Sequence, residues 1–199
     1  GTILGTTNRG NPFAYKTVVG GREIVEDMSP LVLNNIKELG LDALVVIGGD
    51  GSLKIGHGLY KLGVPVIGVP KTIDNDLFAT YVTFGFQTAV DTATGALDKL
   101  HTTAESHQRV IVLEVMGRYA GWIALEAGIS GSADVILIPE IPFNMDKVAE
   151  KLTERKKAGS HSSIVVVAEG AKPLGGEMAV REEARGLFHN RNGSAEVKR

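Results

Sequence analysis

Ala43-Leu44-Val45-Val46-Ile47-Gly48-Gly49-Asp50-Gly51-Ser52 runs from apolar, mostly branched residues into a glycine-rich turn, and a segment of helical period follows it. An apolar run this short, closed by glycines, predicts a strand over 43–47, and the next segment predicts a helix over 52–62. The alternation repeats outward. Similar runs at 65–69, 110–115, 135–138 and 164–168 predict strands, with helices over 88–105, 121–128 and 145–157. Ala89, Ala93, Ala96, Leu97 and Leu100 share one face of the helix over 88–105. A further helix near 30–39 ends at Gly40, a C′ glycine. Strands alternating with helices predict an α/β fold, a doubly wound and mostly parallel sheet with helices on both faces. The nearly continuous apolar strands predict burial on both sides. Residues 5–21, polar and rich in glycine, stand apart. So do residues from 170 onward, which lose periodicity and read as a solvated or disordered tail. The expected division is 1–170 as the folded region and 171–199 as the tail.

Composition narrows the function classes. The 199 residues carry no cysteine, which excludes thiol catalysis and Cys-ligated zinc and is compatible with a reducing cytoplasm. Lys plus Arg total 21 against 23 Asp plus Glu, so no basic footprint for nucleic acid or an acidic membrane exists. The longest apolar runs, such as 63–70, are strand-sized, and no membrane span is expected. Twenty-five glycines are well above the usual ~7% of a chain, as when backbone must approach a ligand closely. The chain opens at Gly1 with neither an initiator methionine nor a signal peptide, and it reads as a fragment.

In a parallel sheet of this kind ligands bind beyond the carboxyl ends of the strands. After the first strand, Gly48-Gly49-Asp50-Gly51-Ser52 offers glycine amides and a helix start to an anion. An aspartate among such amides suits Mg²⁺ beside phosphate; a tight turn capped by Asp50 or Ser52 would look the same. No G-x-G-x-x-G and no G-x-x-x-x-G-K-[ST] occurs. After the second strand, Pro70-Lys71-Thr72-Ile73-Asp74-Asn75-Asp76 carries two acids. If that stretch is extended, Asp74 and Asp76 point to one side. One can then take a proton while the other orients it, and Lys71 can offset phosphate charge. An Asx-turn loop with a solvated lysine is the plainer alternative. After the third strand, Glu114-Val115-Met116-Gly117-Arg118 supplies an arginine suited to phosphoryl oxygens or to a surface ion pair. Glu169 follows the last strand. The five histidines have no metal-ligand spacing and read as caps or surface residues.

Taken in order, these segments resemble the 6-phosphofructokinase family. The resemblance also takes in Gly1-Thr2-Ile3-Leu4-Gly5, Phe84-Gly85-Phe86, His107-Gln108-Arg109 and Ile138-Pro139-Glu140, and covers about 170 residues. Residues 83–142 look most like the branch holding both ATP- and pyrophosphate-dependent enzymes. The resemblance implies a Rossmann-like fold, truncated here at both ends, and phosphoryl transfer to the 1-hydroxyl of fructose 6-phosphate, a glycolytic step. It implies Asp74 as general base with Asp76 supporting it, and Thr72, Arg118 and Lys71 about the transferring phosphate. Gly49, Asp50, Gly51, Ser52 and Arg9 would bind the donor, with Asp50 holding Mg²⁺. Thr72, Ile73, Asp74, Met116, Gly117, Arg118 and Glu169 would bind the sugar phosphate, and Arg109 would reach a neighbouring subunit's sugar phosphate in a homodimer or homotetramer.

For the donor the markers disagree. Pyrophosphate-dependent relatives usually carry Asp at the position of Gly51 and Lys at that of Lys71, whereas ATP-dependent relatives usually carry Gly at the first. An absent Cβ leaves room for the α-phosphate of a nucleotide, so ATP is expected, with pyrophosphate as the alternative. A non-catalytic phosphate- or nucleotide-binding fragment is the reading from another class. A lipid or NAD kinase would share the Gly48–Ser52 loop but neither 70–76 nor 116–118. Tyr81 departs from the family's usual Asp, and Gly56 and Gly95 sit where better helix formers are expected.

Overall fold

The computed structural model describes residues 10–177, in two compact units that divide between Ala89 and Val90. The first unit opens with a short 3-10 turn, Pro12–Ala14, whose first amide is capped by the Asn11 side chain (Phe13 N to Asn11 Oδ1, 3.0 Å). Strands β1 (Tyr15–Val19) and β2 (Arg22–Glu26) then pair antiparallel, with Val19 opposite Arg22. This hairpin lies partly in the polar, glycine-rich stretch 5–21, where no strand is expected. Its signal is the Gly20-Gly21 pair, whose φ values of +58° and +80° are those a two-residue turn of primed type demands.

Helix α1 (Ser29–Glu38) starts with Pro30 in its first turn and stops as expected at Gly40, with φ +65°. Asp27 accepts from the Ser29 amide at 2.8 Å, and bonds to Ser29 hold its carboxyl below the usual carboxylate range. Strand β3 (Leu44–Gly48), helix α2 (Asp50–Lys61) and strand β4 (Val66–Thr72) form a β-α-β unit, and β5 (Phe84–Gly85) extends the parallel sheet in the order β3-β4-β5. Gly56 explains itself here. A Cβ on it would stand 3.2 Å from a Val46 methyl, so the missing side chain is what lets α2 lie close on β3 and β4. The alternate residues Val45, Ile47 and Ile67 are each more than 60% exposed, although the apolar runs predict burial on both faces. The physical reason is alternation: α2 covers the face that bears Val46 and Val66.

Most of α3 (Phe86–His107) belongs to the second unit, with β6 (Val110–Val115), α4 (Trp122–Ser130), β7 (Val135–Leu137), α5 (Met145–Lys157) and β8 (Ser163–Ala168). Its sheet is parallel in the order β6-β8-β7, so the last strand sits in the middle. Two-sided burial holds along β8, where Ile164 and Val166 are buried on one face and Val165 on the other. On α3 the expected face is real but its centre is Val90, Ala93, Leu97 and Ala104. His101 Nε2 lies 2.7 Å from the carbonyl oxygen of Gly131, at the C-terminus of α4, so this histidine caps a helix. Asp134 accepts from the Ile164 amide at 2.8 Å and pairs with Arg155 at 2.9 Å, which ties the start of β8 to α5.

Gly95 has no comparable reason to be glycine: a Cβ there meets nothing within 4 Å, in the middle of α3. Gly95→Ala is expected to stabilise the protein by about 0.4–1 kcal/mol, read as a higher urea midpoint at unchanged slope. A lower midpoint would mean that this part of α3 is needed as glycine.

The α/β architecture with parallel strands is the one the sequence predicts. Among the described residues no helix is long and apolar enough to cross a membrane. The expected tail, 171–199, lies outside the described residues from 178 onward.

Candidate functional site

In the first unit the β3–α2 turn and the end of β4 meet. Gly48 must be small, because a Cβ would stand 2.6 Å from the Ser52 side chain, and the turn closes directly onto the helix. Gly49 is the N-cap of α2, no side chain caps the helix, and Leu53 N donates to the Gly49 carbonyl at 3.0 Å. The amides of the first turn therefore have no partner within the helix and are donors for an anion. A Cβ on Gly49 would meet Thr72 Cβ at 3.6 Å, which is how the glycine loop and the β4 end come together.

Residues 73–76 are not extended as the parity reading required. Asn75 has φ +52°, a left-handed conformation that asparagine tolerates better than most residues. Its side chain holds the bend: Thr83 N donates to Asn75 Oδ1 at 2.9 Å, and Asn75 Nδ2 to the Tyr81 carbonyl at 3.4 Å. The buried Thr83 hydroxyl donates in turn to the Thr72 carbonyl at 2.8 Å. Asn75 and Thr83 were not singled out from sequence, although the Asn in an Asx-turn loop is the kind of residue that does this.

Despite the bend, Asp74 and Asp76 both line one cavity of about 650 Å³, together with Gly49, Asp50, Gly51 and Ser52. Thr72 also lines it, and Phe13 closes one side, its ring lying against α2 where Gly58 has no side chain. Asp74 is half-buried and Asp76 exposed. The Thr72 hydroxyl donates to Asp74 Oδ2 at 3.3 Å and also lies 3.3 Å from the Asp74 amide, which donates to it. Asp50 is held at 2.7 Å by Lys54. Gly51 faces open space, with nothing within 4 Å of a Cβ built on it. Lys71 and Ile73 do not line the cavity; Lys71 is exposed on β4, on the side opposite Thr72. Arg9 lies outside the described residues.

Among the described residues no group of three His, Cys, Asp or Glu could hold a metal. Mg²⁺ is ordinarily held by one or two carboxylates, waters and the oxygens of a bound phosphate. Asp50 supplies such a carboxylate at the mouth of the glycine loop.

In the second unit four of the other candidates stand at the carboxyl ends of β6 and β8. Gly117 takes φ +143°, and its carbonyl accepts from Gly170 N at 3.1 Å, while Glu169 N donates to the Val115 carbonyl at 2.9 Å. This brings Met116, Gly117, Arg118 and Glu169 to one sheet end. Arg118 lies over the Tyr119 ring at 5.5 Å and makes no ion pair among the described residues. Arg109 is exposed where α3 leads into β6. Glu140, part of the quoted Ile138-Pro139-Glu140, accepts from Gly121 N at 2.8 Å and so caps α4.

Comparison with known proteins bears on the whole of this arrangement. The ATP-dependent 6-phosphofructokinase 2 of Clostridium perfringens is 59% identical over 181 residues, 90% of this chain and 50% of that protein. The pyrophosphate–fructose 6-phosphate 1-phosphotransferase of Streptomyces coelicolor is 51% identical over 185 residues, 92% of this chain and 51% of that one. The solved phosphofructokinase of Saccharomyces cerevisiae superposes with a TM-score of 0.65 at 34% identity, over 70% of this chain and 22% of that chain. The chain thus spans about half the length of the curated relatives it matches. The family model for phosphofructokinase matches residues 1–197, through both units and every strand end described above. With its glycine loop, paired aspartates and parallel sheets in that order, this chain belongs to the phosphofructokinase family.

Proposed function

We propose that residues 1–170 form the donor-binding and catalytic region of an ATP-dependent 6-phosphofructokinase, which moves the terminal phosphoryl group of ATP to the 1-hydroxyl of fructose 6-phosphate. The observation that carries this reading is the single cavity shared by the uncapped start of α2, Gly51 and the Asp74–Asp76 pair. Donor phosphates lie against the amides of the glycine loop, and Asp74 takes the proton of the sugar hydroxyl as its oxygen bonds to the γ-phosphorus. The bond from that phosphorus to the β-phosphate oxygen breaks, releasing ADP. Asp76 and Thr72 orient Asp74, and Arg118 neutralises charge on the transferring group. Met116, Gly117, Ile73 and Glu169 hold the sugar phosphate, and Arg109 extends to the sugar phosphate of a second copy in a homo-oligomer. Asp50 is the ligand for Mg²⁺, which supplies charge neutralisation on the donor when bound. Positioning and charge stabilisation of this sort account for most catalysis of phosphoryl transfer. The enzyme is expected in the cytoplasm, where ATP and Mg²⁺ are plentiful.

Pyrophosphate is the second reading, favoured by Lys71 and by the Streptomyces coelicolor relative. A coupled assay for fructose 1,6-bisphosphate, run separately with ATP and with pyrophosphate, decides between them. Turnover with ATP supports the first reading and turnover with pyrophosphate alone overturns it; donor binding without turnover leaves the non-catalytic reading. Gly51→Asp sharpens the test. The open space beside Gly51 would receive a carboxylate pointing toward the nucleotide's α-phosphate. ATP turnover is expected to fall by about a hundredfold or more, as like charges in contact cost several kcal/mol, with pyrophosphate use affected less. Equal loss with both donors would remove Gly51 as the selector.

A further inference from the structure

Three carboxylates line the candidate donor cavity, Asp50, Asp74 and Asp76, and one basic side chain among the described residues faces them: Lys54. A donor that brings several phosphate charges into this cavity meets repulsion from all three acids. Lys71, the cation that sequence singled out, is not among the lining residues. Lys54 stands one turn along α2 from Asp50, and its ammonium is 2.7 Å from Asp50 Oδ2. The two side chains are 76% and 60% exposed. An exposed pair of this kind is worth little, so exchanging its partner costs little.

We propose that Lys54 is a donor-binding residue that rests on Asp50 in the empty site and passes to the donor's phosphate oxygens when Asp50 turns to the metal. The inference rests on the reading that this cavity takes a phosphoryl donor, and it deepens that reading by naming the cation of the site. A metal ion at Asp50 both occupies the carboxylate and repels the ammonium beside it. The phosphate oxygens that arrive with the metal offer the ammonium a new acceptor within the same cavity. Lysine suits the task because its compact charge sits on a flexible stem and binds phosphate without a fixed fork. In the empty site the ammonium and the metal compete for one carboxylate; in the filled site the ammonium and the amides of α2 act together on the phosphates.

The competition has a signature that a merely structural role lacks. In the 199-residue chain, Lys54→Met is expected to bind Mn²⁺ alone about two- to fivefold more tightly, because a surface partner of Asp50 is gone. The same variant is expected to bind MgATP about tenfold more weakly, because one charge-assisted bond to phosphate is gone. Lys54→Arg restores most of the nucleotide affinity. Electron paramagnetic resonance of free Mn²⁺ and calorimetric titration of MgATP measure the two affinities, and circular dichroism melting checks that the variant is folded. Opposite changes in the two affinities support the proposal. Unchanged MgATP binding in Lys54→Met overturns it, and so does weakening of Mn²⁺ and MgATP together. A wild-type chain that binds neither MgATP nor magnesium pyrophosphate overturns the donor reading itself, and the role of Lys54 falls with it. Normal donor binding by the wild type with no effect of Lys54→Met removes the Lys54 role alone.

Discussion

Asp74→Ser in the full-length protein is expected to lower turnover by about 10²–10⁴-fold, the usual worth of a positioned general base, and to leave fructose 6-phosphate binding nearly unchanged. Asp74 is the half-buried member of the acid pair, and the Thr72 hydroxyl fixes one of its oxygens at 3.3 Å. The carboxylate is therefore held in one orientation toward the cavity, where Asp76 is exposed to solvent. Serine keeps a small polar group at that point and removes the base. If Asp74 takes the proton from the attacking hydroxyl, the loss falls on kcat, because the proton moves only in the transition state. Single-turnover kinetics with fructose 6-phosphate, alongside equilibrium binding of the sugar phosphate, separate the two quantities. A variant that keeps a near-normal rate would sink the base assignment. A variant that loses sugar binding as its main defect would recast Asp74 as a binding residue.

Gly170→Ala is expected to be the most disruptive single methyl group in the second unit. A Cβ at residue 170 would overlap the Arg118 carbonyl oxygen and stand 2.6 Å from its carbonyl carbon. It would also stand 2.8 Å from the Gly117 carbonyl oxygen, the acceptor of the Gly170 amide. These are backbone atoms, so no side chain can swing aside. The loop must move, and with it Gly117, whose φ of +143° is one that residues with a Cβ rarely adopt. Overpacking of this kind costs about 1–3 kcal/mol and occasionally more. At about 2–4 °C per kcal/mol for a chain of this size, the melting temperature falls by several degrees. Because the displaced residue is Arg118, turnover in the full-length protein should fall as well, even where the variant remains folded. Denaturant midpoints measure the first effect and kcat at low temperature the second. A midpoint within about 0.5 kcal/mol of wild type, the usual range for surface substitutions, would show that the close approach relaxes at no cost.

Hydrophobic period and glycine placement were enough to read strands and helices as separate elements. β6 and α5 begin and end where expected, and α1 stops at Gly40, because these features depend on neighbours within one or two turns of chain. The β1–β2 hairpin was missed although its Gly20-Gly21 turn is equally local, since its flanking residues are polar enough to look irregular. The glycine loop after β3 was legible for the same local reason, a strand that runs through glycines into a helix. Gly49, Asp50, Gly51 and Ser52, adjacent in the chain, line one cavity and were named together from sequence, while Lys54 was not named, because position 54 joins the cavity only through the turn of α2.

The extended reading of 73–76 failed on one residue. Asn75 takes a left-handed conformation, held by Thr83 eight positions on, and Asp74 and Asp76 line the cavity although the chain between them bends. Strand parity had no way to include that staple. Sequence by itself determined the α/β alternation, the glycine loop and the acidic loop, since each follows from residues adjacent in the chain. Only tertiary structure decided which cation faces the acids, why Gly170 must be glycine, and how Asp134 ties β8 to α5. Each of those depends on a close approach between residues four to more than fifty positions apart, and such distances are set by packing, which periodicity does not encode.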